Sequence, residues 1–104
     1  MLELLGRCCL YELSEELVVE AIAEHKPNIT IICSPNNPTG TPVSIEVIKA
    51  AYEATDGILV VDEAYAEFSL NNDSALSLLE GRERLIISRT MSKAFAFAGV
   101  RVGY

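Results

Sequence analysis

The sequence predicts an α/β fold: a mainly parallel sheet with flanking helices. Three observations carry that reading. Segments of helical period alternate with short apolar runs, in the order helix, strand, helix, strand, helix, strand. The runs are β-branched and nearly free of charge, as strands buried in a parallel sheet are. The notable polar clusters, Asn36-Asn37, Asp62–Tyr65 and Ser88–Lys93, each follow the carboxyl end of a predicted strand, where such sheets collect their ligands.

The elements follow in order. A helix is predicted over residues 14–25, with Ser14 as N-cap and Glu15 and Glu16 in the first turn, where acidic side chains complement the helix dipole. Leu13 and Val18 can staple its start. Leu17, Val18, Ala21 and Ile22 form one apolar face, and Pro27 ends the helix. Ile29-Thr30-Ile31-Ile32-Cys33 is the first strand. The loop SPNNPTGTP after it is dense in Pro, Asn and Gly and must turn sharply. Ser44 caps a second helix over residues 45–55, with Ile45, Ile48 and Tyr52 along one side. Ile58–Val61 is the second strand, and Asp62 stands at its carboxyl edge. Residues 74–80 predict a short helix, Leu85–Ser88 a third strand, and Val100–Tyr104 a fourth.

With 104 residues and no repeat, low-complexity tract or linker, the chain makes at most one domain. Half of its residues are hydrophobic and its net charge is −7, which argues against nucleic acid and anionic membrane as partners. No apolar stretch reaches the roughly 18 residues of a membrane span. The start, MLELLGRCCLYEL, carries Glu3 early and has no basic segment ahead of a long apolar run, so it does not read as a signal peptide. Cys8, Cys9 and Cys33 form no CxxC and no metal-ligand spacing, which fits thiols in a reducing cytoplasm and no metal site. Without a secretory signal, the Asn-x-Ser/Thr matches at Asn28 and Asn72 are chance. His25, the single histidine, lies near a helix end, where a solvated or dipole-pairing role fits better than catalysis.

Several chemistries have no support. There is no GxGxxG for a dinucleotide, no GxxxxGK[ST] for a nucleotide phosphate and no GxSxG elbow for a nucleophilic serine. What remains is Lys93, Asp62, Tyr65, Asn37 and Arg101. A lysine at a half-buried, uncharged position loses its proton more easily and can attack a carbonyl as a Schiff-base nucleophile. An aspartate at a strand end can keep a pyridinium nitrogen protonated. Phenol and amide donors suit a phenolate oxygen, and hydroxyls with an arginine suit a phosphate. These needs belong together in pyridoxal phosphate. Taken singly, each residue has a plainer reading: a solvated loop lysine, an aspartate capping the next turn, an asparagine satisfying its own loop, an arginine in a structural ion pair. Pro38 and Gly40 shape their turn, and Phe95 and Phe97 read as packing.

Three segments together decide between these readings. Cys33-Ser34-Pro35-Asn36-Asn37-Pro38-Thr39-Gly40, Val61-Asp62-Glu63-Ala64-Tyr65 and Ser88-Arg89-Thr90-Met91-Ser92-Lys93-Ala94-Phe95 resemble the signature segments of the fold-type I aminotransferases, in the right order and at family-like separations. The tail Ala96–Tyr104 resembles that of the histidinol-phosphate aminotransferases in particular. The resemblance runs from about Pro27 to Tyr104, and Met1–Tyr11 does not share it. It implies that Lys93 is the Schiff-base lysine and the proton shuttle. It implies that Asp62 pairs with the pyridine nitrogen, and that Asn37 and Tyr65 hydrogen-bond the ring 3-oxygen. Ser92 and Arg101 would bind the cofactor phosphate, with Thr90 at the same patch. The implied partners are small molecules, an amino acid or amino alcohol phosphate and a 2-oxo acid. The implied reaction is amino transfer between histidinol phosphate and 2-oxoglutarate, in a cytoplasmic homodimer.

Complete members of that family are several times larger than a ~100-residue domain. The resemblance therefore implies that residues 1–104 are part of the large, cofactor-binding domain, without the glycine/serine segment that completes the phosphate site, the aromatic that stacks on the ring or the small domain with its carboxylate-binding arginine. The chain alone is expected not to transaminate. Its sheet is expected to have open edges, with few helices to cover strands that ask for cover on both faces. Two alternatives remain open: another fold-type I enzyme, such as an aromatic aminotransferase or a threonine-phosphate decarboxylase, and a non-catalytic truncated remnant.

Overall fold

The structure, a computed structural model, describes residues 13–70 and 74–104. Helix α1 spans Glu15–His25. The Ser14 side chain accepts from the Leu17 amide, and Lys26 closes the helix in the left-handed region, at φ 42°, by donating its amide to the Ile22 carbonyl. Strand β1 is Ile29–Cys33, helix α2 is Ile45–Ala54 with Ser44 as N-cap, β2 is Ile58–Asp62 and β3 is Leu85–Ser88. The strands form one parallel sheet in the order β1-β2-β3, with Ile29 opposite Ile58 and Leu59 opposite Leu85. The predicted α/β class and parallel sheet are both present.

Both helices lie on one face of that sheet. Val18 and Ile22 of α1 and Val47, Ile48 and Ala51 of α2 form a single core with Ile32, Leu59, Val61 and Leu85. On the other face the register lines up Ile29 with Ile58, and Ile31 with Val60 and Ile86. Ile29 and Ile31 are 52% and 43% exposed and Ile86 47%, so this apolar face is uncovered among the described residues. Among the described residues, apolar runs that read as strands covered on both faces are thus covered on one, because α1 and α2 pack on the same side.

The short helix expected over residues 74–80 is present as a 3-10 helix, Ala75–Leu78. Ser74 caps it, and Gly81, at φ 72°, turns the chain before a second α-helical turn can close. Val100–Tyr104 is no fourth strand. A single antiparallel bridge joins Gly103 to Thr90, because Arg101 sits at φ 58° and breaks the extended path. Another 3-10 turn, Ala66–Phe68, follows β2. No helix among the described residues is long and apolar enough to cross a membrane. Cys8, Cys9, Asn72 and the atypical Met1–Tyr11 segment lie outside the described residues, and Cys33 is exposed at the end of β1.

At the opposite end of the sheet from the polar clusters, the start of β2 is tightly built. A Cβ on Gly57 would stand 2.3 Å from the Asn28 carbonyl oxygen, so only glycine lets β1 and β2 begin their pairing here. Arg84 donates from one guanidinium nitrogen to the carbonyls of Thr55 and Gly57, at 2.5 and 2.8 Å, and its guanidinium lies 4.7 Å from the Tyr52 ring centroid.

Candidate functional site

At the carboxyl edge of the sheet, Cys33, Asp62 and Ser88 stand side by side in register. The ladder runs one step further: Ser34 donates its amide to the Asp62 carbonyl and Glu63 donates its amide to the Ser88 carbonyl. Asp62 Oδ1 accepts from the Ala64 amide at 3.1 Å and from the Ser88 hydroxyl at 3.4 Å. The capping role that the sequence allowed for Asp62 is therefore real, and it leaves the carboxylate at the sheet edge.

The asparagine loop folds over β1. Asn36 donates its amide to the Thr41 carbonyl, the Gly40 amide returns to the Asn36 carbonyl, and the Val43 amide donates to the buried Ser34 hydroxyl at 2.9 Å. Gly40 takes φ 71°, which a turn this tight requires, and the Ser34–Pro35 and Asn37–Pro38 peptide bonds are cis. A cleft of about 260 Å³ separates this loop from the turn after β2, with Asn37 on one wall and Tyr65 on the other. Lys93 Nζ lies 5.6 Å from the centroid of the same Tyr65 ring, within reach of a cation–π contact.

Tyr65 thus shares the cleft with Asn37 and the cation–π contact with Lys93, and it lies three residues beyond Asp62 at the end of β2. Thr90 and Ser92, both half-buried, share the lysine's loop, and the Thr90 hydroxyl accepts the Ser92 amide at 3.1 Å. Arg101 is exposed on the far arm of that loop, and no hydrogen bond among the described residues draws it to the others. Lys93 departs from expectation in one respect: it is exposed, not half-buried. Residues 93–104 are all exposed, so the loop carries its lysine away from the core.

Sequence reasoning missed a second pair. Glu63, only 2% exposed, is among the largest fully buried side chains. Its Oε2 accepts from Nε and Nη2 of Arg89, at 3.1 and 2.8 Å, and from the Ser74 hydroxyl at 2.9 Å. Its Oε1 accepts the Ala75 amide at 2.7 Å. Burial works against the Arg89 cation, but hydrogen bonds with Glu63 and Tyr104 and the charges of Glu63 and Glu67 outweigh it and hold the guanidinium pKa above its ordinary value. A signal for this pair was present in the sequence. Opposite charges, Glu63 and Arg89, sit one residue beyond two apolar runs that read as strands.

Residues 11–104 match the family described as aminotransferase class I and II. The chain is 55% identical over 98 residues to a histidinol-phosphate aminotransferase of Paenarthrobacter aurescens, an alignment covering 90% of this chain and 26% of that protein. Among solved structures it is similar to the histidinol-phosphate aminotransferase of Sinorhizobium meliloti in complex with pyridoxal-5'-phosphate, with a TM-score of 0.74 and 29% identity over 86% of this chain and 25% of that one. It also resembles the L-threonine-O-3-phosphate decarboxylase of Porphyromonas gingivalis, with a TM-score of 0.64 and 26% identity over 73% of this chain and 24% of that one. The chain spans about a quarter of the length of the relatives it matches.

Proposed function

The chain belongs to the aminotransferase class I and II family, and from that premise we propose that it is part of the cofactor-binding large domain of a histidinol-phosphate aminotransferase. The observation that carries the reading is the meeting of Lys93 with Tyr65, 5.6 Å from amine to ring centroid, in the segments that follow β3 and β2. The donor chemistry fits pyridoxal phosphate. Among the described residues, both hydrogen bonds of the Asp62 carboxylate fall on Oδ1, and Oδ2 would be the oxygen that pairs with a ring nitrogen. A phenol and an amide, Tyr65 and Asn37, face each other across one cleft. When bound, this cofactor supplies an aldehyde that condenses with an amine and a ring that draws electrons from the substrate α-carbon.

The chain's own residues then divide the work. Lys93 would hold the cofactor and would move the proton at the substrate α-carbon. Asp62 would keep the proton on the ring nitrogen, which matters most as negative charge develops in the transition state. Tyr65 and Asn37 would donate to the ring 3-oxygen. Ser92 and Arg101, with Thr90 beside them, would bind the phosphate. The substrates are histidinol phosphate and 2-oxoglutarate. The place of action is the cytoplasm, and the full-length protein is a homodimer. The 55% identity to a histidinol-phosphate aminotransferase favours amino transfer over decarboxylation.

Borohydride reduction in the presence of pyridoxal phosphate, followed by peptide mapping, tests the reading. The chain has three lysines, and the pyridoxyl label belongs on Lys93. A label on Lys26 or Lys49 instead sinks the assignment.

A further inference from the structure

Glu63 and Arg89 each follow a strand by one residue, Glu63 after β2 and Arg89 after β3. Asp62 and Ser88, directly before them, are partners in the register and are themselves joined by a hydrogen bond. Asp62 stands at the carboxyl edge of the sheet, while Glu63 turns into the interior. The ion pair is buried, and neither partner lines the cleft. What it does is join the segments that carry the site. Glu63 precedes Tyr65 by two residues. Arg89 opens the loop that bears Thr90, Ser92 and Lys93, and its amide and carbonyl pair with the carbonyl and amide of Tyr104, at 2.6 and 3.0 Å, which closes that loop at its base. A further contact at 3.7 Å reaches from Arg89 Nη1 to Glu67, in the turn after Tyr65. The Ser74 hydroxyl completes the cluster by accepting from Arg89 Nη2 and donating to Glu63.

We propose that Glu63 and Arg89 are positioning residues: their buried ion pair sets the placement of the Lys93 loop relative to Tyr65 and Asp62. The proposal rests on the reading that these three residues meet pyridoxal phosphate. The physical reason lies in the loop itself. Residues 93–104 are all exposed and contribute nothing to the core, so the core does not hold Lys93 in place. Its position is inherited from the loop base, and the strongest tie at that base is the two-nitrogen grip of Arg89 on a single oxygen of Glu63. Lysine cannot reproduce that grip, because it offers a point charge where arginine offers a planar fork.

The test uses the full chain with pyridoxal phosphate, and compares the parent with Arg89→Lys and with the double variant Glu63→Leu/Arg89→Met. Three quantities are read: cofactor affinity from the visible band, the pH midpoint of that band, and the melting temperature. The double variant removes both charges together and so avoids a lone buried carboxylate, and its melting temperature returns toward the parent's. The proposal expects both variants to bind the cofactor about tenfold more weakly, the loss typical when outer support of a site is removed. It expects the band's midpoint to rise by about one pH unit, as the Tyr65 hydroxyl loses its alignment on the ring oxygen. A double variant with parent-like midpoint and affinity overturns the proposal, because the pair is then only structural. Should the double variant fail to fold, Arg89→Lys decides by the same two readings. If the parent itself shows no visible band and no label on Lys93, the functional reading falls and this proposal with it. A labelled parent beside parent-like variants overturns this proposal alone.

Discussion

Two arginines flank β3, Arg84 just before it and Arg89 just after, and they stabilise the two ends of the sheet by different means. Arg84 satisfies neutral backbone carbonyls and lies over an aromatic ring. Arg89 satisfies a buried carboxylate. The first arrangement leaves only dipoles behind when the arginine is removed, and the second leaves a charge. The end of the sheet that only has to hold together uses weak, replaceable contacts. The end that carries the candidate site uses a contact whose loss the structure cannot absorb.

The sharpest way to break this comparison is Arg89→Met in the chain. Removing one partner of a buried ion pair typically costs about 3–5 kcal/mol. Glu63 here is 3% exposed at the side chain and Arg89 19%, so solvent can screen little of the loss. Urea denaturation followed by circular dichroism reads it. A loss below about 1 kcal/mol, the usual range for a surface pair, would mean that water reaches Glu63 and that the two ends are built alike.

The next two effects belong to the other end. Gly57→Ala is expected to cost about 2–3 kcal/mol, the upper part of the range for overpacking. Its new methyl meets only backbone, Asn28 and Pro27, and no flexible side chain that could yield. Arg84→Ala follows at about 2 kcal/mol, the sum of two modest hydrogen bonds and one ring contact. Arg82, 5.7 Å from the same Tyr52 ring, keeps a guanidinium there and limits the damage. Thermal or urea midpoints of the two variants measure both. If Arg84→Ala proves as damaging as Arg89→Met, the distinction between neutral and charged acceptors does not govern this sheet.

Much of this was legible in the residues, for identifiable reasons. Ser14 and Ser44 announce their helices because a hydroxyl ahead of an apolar period has one efficient use there, and both act as N-caps. The three strands follow from short β-branched runs, and the three polar segments do converge on one sheet edge. What the pattern could not reveal is which face the helices take. Ile31 and Ile32 read alike, yet the first is exposed and the second buried. Val100–Tyr104 misled because its residues favour strands, while one left-handed residue, Arg101, decides the path. The ion pair stayed hidden because Glu63 and Arg89 sit inside motifs whose other residues drew the chemical reading, and because pairing across strands needs the register.

The smallest expected effect is also the most local. Gly103 lies against the carboxyl end as Gly57 lies against the other: a Cβ there would stand 2.8 Å from the Arg89 carbonyl oxygen. The contact is again with backbone, so by distance alone Gly103→Ala should resemble Gly57→Ala. It should not in energy, because the surroundings differ. Gly57 is wedged where two strands of the sheet begin to pair, whereas Gly103 sits on an exposed arm held by one bridge to Thr90. That arm can swing outward by a few tenths of an ångström and relieve the clash. The expected global loss is under about 1 kcal/mol, since an exposed segment opens without unfolding the core. The local signature is specific. The amides of Met91 and Tyr104, which donate to the Val102 and Arg89 carbonyls across the bridge, should exchange with solvent faster, while the amide of Leu59, which donates to the Arg84 carbonyl within the sheet, keeps its protection. Hydrogen exchange resolved by residue separates these. If Leu59 loses protection together with Tyr104, the loop that carries Lys93 unfolds with the core, and the contrast between a rigid sheet and a loop held only at its base is wrong.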